Sequence, residues 1–228
     1  MRKPKIVVSE CLYGTKCRYD GQGYNDKVIQ SLKDYVDIQT VCPELAIGLS
    51  IPREPIRIEM NKENEEYRLI DYNSKNDYTN QMTEFSEEFI NGLDDIDGFI
   101  LKSRSPTCGL KDAKVYYCGN KCSIRSNENG FFSQKIIDKY DREHSFFFCD
   151  PPYFETAGYD NKFGEEEHII LRDKLKILKG KFLLTINDHE KVREWYKGFN
   201  IREVEVNYSV SRTAEGRGKY KELIITNY

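Results

Sequence analysis

Short β-rich runs alternate with helix-patterned segments through the first hundred residues, and three of those runs are each followed by a cysteine. That alternation constrains the fold most, because strands joined through helical connections pair in parallel and are covered by helices. Lys5–Ser9 is the first run, residues 25–35 carry helical spacing, and Asp37–Val41 is the second run. After a loop containing Pro43, Pro52 and Pro55, a hairpin is expected through Ile56–Met60 and Tyr67–Asp71, turned by the polar residues 61–66. Residues 78–93 then form an amphipathic helix with Met82, Phe85, Phe89 and Leu93 on one face, and 98–101 a buried strand. Phe131–Tyr140 is expected to join this series to a second: strand 145–149, helix 165–178, strand 181–186, helix 189–196 and a closing strand pair, 200–207 with 221–227. The expected fold is α/β, with a parallel-sheet domain over residues 1–137 and a partial Rossmann-like segment over 138–228.

The 228 residues suffice for one large domain or two small ones. Hydrophobic residues at 39% beside charged residues at 32% describe a globular chain, and 16 Tyr with 12 Phe supply packing area. A net charge of −3 gives no global attraction to nucleic acid, which leaves a local basic patch as the route to such binding. Ile6-Val7-Val8 and Phe146-Phe147-Phe148 fall far short of the roughly 20 apolar residues of a membrane span, and no signal core follows Arg2-Lys3. No membrane association is therefore expected, and the expected compartment is the cytoplasm. Seven cysteines in a reducing compartment read as ligands or nucleophiles rather than disulfides.

Cys11 follows the first run, Cys42 the second, and Cys108 lies in the loop after 98–101. In an open α/β sheet the carboxyl ends of neighbouring strands face one crevice, so these thiols can converge there. Thiolates suit soft metals and iron–sulfur clusters, and three ligands instead of four leave one iron open. Two other readings stand beside this one. Each cysteine can be a small buried residue in a turn, or Cys17 can complete a closed four-cysteine zinc site, although no Cys-x-x-Cys pair supports zinc here. Cys118 and Cys122, in a Gly-Asn-Lys turn, are candidates for a metal of their own. His144, His168 and His189 are too widely separated to form a metal set, and His168 follows an acidic run that favours a helix start.

Three separated motifs resemble the thiouracil desulfidase family in order and spacing. They are Cys11-Leu12-Tyr13-Gly14 with Cys17-Arg18-Tyr19-Asp20-Gly21, Cys42-Pro43-Glu44 with Gly48-Leu49 and Pro52-Arg53, and Lys102-Ser103-Arg104-Ser105-Pro106-Thr107-Cys108-Gly109. The likeness covers residues 5 to about 135. It implies a 4Fe-4S cluster held by Cys11, Cys42 and Cys108, whose unique iron takes sulfur from a thiolated pyrimidine or similar heterocycle without net redox change. It also implies that Glu44 and Ser105 lie beside the substrate. A carboxylate there moves protons or orients water, and a hydroxyl holds the heterocycle edge. Glu44 can equally be a surface acid or an Arg53-paired one, and Ser105 a turn hydroxyl.

Asp150-Pro151-Pro152-Tyr153 directly follows the strand 145–149. Two prolines fix an extended backbone between a carboxylate, which accepts a hydrogen bond from an exocyclic amine, and a ring that stacks on a flipped base. From about residue 138 the chain resembles the catalytic half of Dam-type DNA adenine N6-methyltransferases, including Phe154, strand 181–186, Arg212 and the ending from Lys221 to Tyr228. The resemblance makes Asp150 and Tyr153 the adenine-binding pair. Such enzymes also use a Phe-x-Gly-x-Gly segment for S-adenosylmethionine, and this sequence has none: Gly21-Gln22-Gly23 and Gly216-Arg217-Gly218 lack the preceding phenylalanine and the strand-to-helix setting.

The expectation is thus an iron–sulfur domain fused to half a methyltransferase, acting on a small thiolated heterocycle. Adenine methylation is the alternative, with S-adenosylmethionine bound only if a partner protein or second copy completes the site. A non-catalytic module that binds nucleic acid, with DNA as its partner, is the third reading.

Overall fold

The computed structural model describes residues 2–156, 164–208 and 218–228. It divides into two compact units, Met1–Lys139 and Tyr140–Tyr228. Of the motifs named above, Arg212, Gly216 and Arg217 lie outside the described residues.

The first unit holds two sheets. Strands β1 (Lys5–Ser9), β2 (Asp37–Val41) and β5 (Gly98–Ile100) form a parallel sheet in the order β2-β1-β5, with Ser9 opposite Val41 and Val8 opposite Ile100. Its centre is dry, since Val7 and Val8 are fully buried. The helix between the first two strands, α1 (Lys27–Leu32), is shorter than the expected 25–35, and Asp26 sets where it starts. The Asp26 carboxylate accepts from the amides of Val28 at 2.8 Å and Ile29 at 3.1 Å, which makes it the N-cap. A further four-residue helix, α2 (Pro43–Ala46), begins at Pro43, whose missing N–H costs nothing in a first turn.

The second sheet has the order β4-β3-β6-β7. Strands β3 (Ile56–Met60) and β4 (Tyr67–Asp71) form the expected hairpin, β6 (Ala113–Tyr117) lies parallel to β3, and β7 (Ser123–Glu128) returns antiparallel to β6. Ile56, Ile58, Met60, Leu69, Ala113 and Val115 of this sheet bury themselves with Met82 of α3 (Thr79–Asn91). Phe85 of that helix stacks on Phe132 of α4 (Phe131–Tyr140) and Phe89 meets the same ring tilted, with ring centroids 6.3 and 5.7 Å apart.

The second unit is a single four-stranded sheet of order β10-β11-β9-β8. Strand β8 (Phe146–Cys149) is parallel to β9 (Lys181–Asn187), while β11 (Gly218–Thr226) runs antiparallel to both β9 and β10 (Asn200–Tyr208). Phe182, Leu184 and Ile186 alternate along β9 and pack with Leu223 and Ile225 of β11 against Leu171 and Leu175 of α5 (Glu165–Lys176) and Val192 of α6 (Glu190–Trp195). Three glutamates in the first turn of α5 and Lys174 and Lys176 in its last complement the helix dipole.

Candidate functional site

The three cysteine-bearing segments leave the same end of one small sheet. Cys11 sits in the single 3-10 turn after β1, Cys42 immediately after β2 at the N-cap of α2, and Cys108 in the loop after β5. Cys17, in the loop that follows Cys11, is fully buried, and its carbonyl accepts from the Cys42 thiol at 3.9 Å, which ties the two segments together. On the other side, Ser9 at the end of β1 accepts from the Lys102 amide at 2.9 Å and hydrogen-bonds Cys108.

The electrostatics divide these thiols. Contact with Cys17 lowers the pKa of Cys11, helped by the nearby Lys102 and Arg18 cations. Contact with Cys17 lowers that of Cys42 too, together with the Leu45 amide at the start of α2. The reciprocal of both contacts, reinforced by burial, raises that of Cys17, so the middle sulfur keeps its proton. Burial pushes the Cys108 thiol up to about 12.

A chain of hydrogen bonds joins the three segments and passes through both residues expected beside the substrate. Ser105 Oγ accepts from the amides of Thr107 at 3.2 Å and Cys108 at 3.0 Å and lies 2.9 Å from Thr107 Oγ1. Thr107 Oγ1 donates to Glu44 Oε1 at 3.1 Å, and Glu44 Oε2 receives Arg53 Nε at 3.1 Å and NH2 at 2.6 Å. Arg53 also donates to the Cys17 carbonyl at 3.0 Å. Glu44 is thus the Arg53-paired acid rather than a surface one, with only 6% of the arginine and 14% of the carboxylate side chain exposed. Thr107 is the link that motif reading passes over. Its sequence signal is slight, a hydroxyl between Pro106 and a cysteine.

The Cys108 loop is clamped from behind by the start of α4. Gly130 donates to the Gly109 carbonyl at 2.8 Å, Phe131 to Pro106 at 3.1 Å, and Phe132 and Ser133 to Thr107 at 3.0 and 3.1 Å. Asp112 is a second residue that sequence reading misses: burial beside this loop raises its carboxyl to about 6.

Cysteine thiolates suit iron–sulfur clusters and zinc alike by their chemistry. Among the described residues no three His, Cys, Asp or Glu side chains are placed to hold one metal ion. The same holds for Cys118 and Cys122, which are exposed at the β6–β7 turn. All seven cysteines are free.

In the second unit Asp150-Pro151-Pro152-Tyr153 leaves the carboxyl end of β8. Asp150 is exposed and accepts from Thr185 Oγ1 of β9 at 2.8 Å. Tyr153 is half-buried against the core. The following residue is gripped by Asn187 at the end of β9, whose side chain accepts from the Phe154 amide at 2.8 Å and donates to its carbonyl at 2.9 Å. His168 of α5, fully buried, stacks on Trp195, and burial lowers its pKa to about 4. Asp150 and Tyr153 are placed within the second unit, and Cys11, Cys42, Cys108, Glu44 and Ser105 within the first.

Three adjacent parallel strands, each followed by a cysteine, and an arginine-held carboxylate beside them define an α/β protein with thiol donors at one end of its small sheet. The family model for 2-thiouracil desulfurase matches residues 6–143. The chain belongs to that family. A second model, for D12 class N6 adenine-specific DNA methyltransferases, matches residues 112–210.

Individual relatives fall on both sides. The Type II methyltransferase M1.LlaDCHI of Lactococcus lactis subsp. cremoris is 32% identical over 129 residues, covering 52% of this chain and 44% of that protein. The DNA adenine methylase of Haemophilus influenzae is 35% identical over 102 residues, 40% of this chain and 35% of the other. The Bacillus subtilis protein YbbK, named only as uncharacterized, is 45% identical over 53 residues, 23% of this chain and 35% of its own length. The chain spans less than half the length of the curated relatives it matches. Among solved structures, a [4Fe-4S]-dependent thiouracil desulfidase, TudS, is 27% identical with a TM-score of 0.44, covering 58% of this chain and 83% of that one.

Proposed function

We propose that the first unit is an iron–sulfur desulfidase acting on a thiolated pyrimidine or similar small heterocycle in the cytoplasm. What supports this reading is that Cys11, Cys42 and Cys108 each follow one of three adjacent parallel strands, with the Cys108 loop joined to Glu44 through Thr107. These cysteines would hold a 4Fe-4S cluster. When bound, such a cluster with three protein ligands supplies an open iron of soft-ligand preference at which sulfur can be taken up.

The chain's own residues do the rest. Two amides occupy the acceptor side of Ser105 Oγ, so its proton is the part it can offer, either to Thr107 Oγ1 or to an acceptor on a heterocycle edge. Thr107 passes its own proton toward Glu44 Oε1, which makes Ser105, Thr107 and Glu44 a short relay for carrying a proton between solvent and substrate. Arg53 aims the carboxylate through Oε2 while leaving Oε1 to Thr107.

A second reading, adenine N6-methylation of DNA, is favoured by one observation: Asp150 stands exposed at the carboxyl end of a parallel strand, held by Thr185. It requires S-adenosylmethionine bound with the help of a partner protein or second copy, since the sequence holds no Phe-x-Gly-x-Gly segment.

The full chain, prepared and reconstituted without oxygen, decides between them. The desulfidase reading predicts a brown protein with iron and acid-labile sulfide, both lost in Cys108→Ser, and sulfide release from a thiolated pyrimidine. A colourless protein that takes zinc stoichiometrically in place of iron would refute it. Tight S-adenosylmethionine binding with methyl transfer to duplex DNA, abolished by Asp150→Ala, would put the second reading first.

A further inference from the structure

The second unit holds a groove of about 290 Å³ that neither reading above uses, lined by Arg172 and Lys176 of α5 and by Glu194, Trp195, Lys197 and Gly198 at and after the end of α6. Residues 168, 172 and 176 are spaced by four and so share one face of α5, while Leu171 and Leu175 turn to the core. His168 of that stripe stacks on Trp195, with ring centroids 5.6 Å apart, and Phe154 meets the indole at 82°. These two neighbours fix the indole in place, and the part of it they leave uncovered borders the groove. Strands β8, β9 and β10 all point the same way, since β9 and β10 each run antiparallel to β11. Because α5 ends just before β9 begins and Gly198 stands just before β10, Lys176 and Gly198 lie toward the amino ends of these strands, whereas Asp150 leaves a carboxyl end.

Arg172 and Lys176 share one exposed acid, Asp173, at 2.8 and 3.7 Å, and the Lys197 ammonium has no partner among the described residues. Against these three cations stand two carboxylates, Glu194 and Asp173, which leaves positive charge in excess. Cations beside an indole suit a ligand that carries both an anion and a planar ring. A bare anion leaves the indole unused, and an uncharged ring leaves the cations unused. The volume stands at the lower end of the roughly 300–1,000 Å³ of small-molecule sites, which is room for one nucleotide. We infer that this groove is a nucleotide-binding site separate from the Asp150 platform, with the base against Trp195 and the phosphate held by Arg172, Lys176 and Lys197. The nucleotide comes either free or as one unit of a single strand.

Trp195 is the one tryptophan of the chain, so tryptophan emission reports on the groove. The full chain is titrated with adenosine 5′-monophosphate, with inorganic phosphate and with a single-stranded oligonucleotide, as wild type, Lys197→Gln, Gly198→Phe and Asp150→Ala. A Cβ at Gly198 meets nothing within 4 Å, so the added ring enters the groove without displacing the fold, and Gly198→Phe should melt with wild type. The nucleotide should quench the emission saturably, with affinity about tenfold weaker in Lys197→Gln, which is one charge contact of about 1.4 kcal/mol. Gly198→Phe should show no saturable quenching, and Asp150→Ala the same curve as wild type. A strand that binds more tightly than the mononucleotide makes the strand the source, and one that binds no better makes it the free nucleotide. Quenching by neither overturns the inference, as does quenching that survives Gly198→Phe. Loss of quenching in Asp150→Ala puts the nucleotide on the platform and overturns it too, and so does inorganic phosphate that binds as tightly as the nucleotide. None of these readouts involves iron, so the desulfidase reading stands or falls separately.

Discussion

Replacing Gly130 with alanine tests whether the Cys108 loop is held as tightly as the geometry implies. A Cβ at Gly130 would lie 2.4 Å from both the carbonyl carbon and oxygen of Thr107 and 2.9 Å from the Cys108 amide nitrogen. All three are backbone atoms, so no side chain can swing aside. Reaching even a strained 3.0 Å from 2.4 Å means displacing the loop or the start of α4 by 0.6 Å. That movement stretches the bonds from Phe132 and Ser133 to the Thr107 carbonyl, now 3.0 and 3.1 Å. Overpacking costs about 1–3 kcal/mol and each weakened hydrogen bond about 1 kcal/mol, against a gain of about 0.5 kcal/mol from the stiffer unfolded chain. The net expectation is a loss of about 3 kcal/mol, or about 10 °C in the melting temperature of the first unit.

The assay is thermal and urea unfolding of the full chain followed by near-ultraviolet circular dichroism, with the reactivity of Cys108 toward a thiol reagent as the local reporter. Gly198→Ala serves as control, because nothing lies within 4 Å of its added carbon. If Gly130→Ala melts with the control and leaves Cys108 as protected as before, the clamp is not what holds the loop.

Two further substitutions read other parts of the structure. Arg53→Met takes from Glu44 its charged partner and from the Cys17 carbonyl its stronger donor, and should cost about 3–5 kcal/mol in urea unfolding, with Arg53→Lys recovering part; an unchanged midpoint would mean the pair contributes nothing. His168 is neutral in the folded chain with a pKa near 4, so between that value and the unfolded value of about 6.5 only the unfolded chain gains a proton. Stability is therefore intact above that window and falls with pH inside it, by about 2 kcal/mol from pH 7 to pH 5 for the second unit, and His168→Phe should remove this part of the pH dependence. Equal slopes in the two proteins would show that His168 titrates freely.

The ends of β1, β2 and the β3–β4 hairpin are legible because short apolar runs there stop at cysteine, proline or polar turns. Cys11, Cys42 and Cys108 follow the carboxyl ends of β1, β2 and β5, an order the sequence shows with no knowledge of side-chain contacts. The strands β6 and β7 were not legible. Lys114 to Tyr117 alternates only briefly before the Gly119 turn, and its pairing with β3 joins residues more than fifty positions apart. The four-residue helix α2 is too short for any period to show. The relay from Ser105 through Thr107 to Glu44 is hidden for a related reason. Thr107 and Glu44 are separated by 63 positions, and only the folded loops bring a hydroxyl to a carboxylate. His168 reads as part of an acidic helix start, which it is, while its burial beneath Trp195 depends on a strand and a helix that follow it.

Strand β8 pairs along one edge alone among the described residues, and its Phe146 and Phe148 are 56% and 59% exposed. Four residues with no charge and no bulge make a bare rung to which a stray peptide can add. The two prolines that follow lack amide hydrogens, so the rung cannot lengthen beyond those four positions, and an intruder gains too few bonds to stay. The pair of prolines that shapes the Asp150 platform therefore also limits how far the protein can stick to itself as its concentration rises.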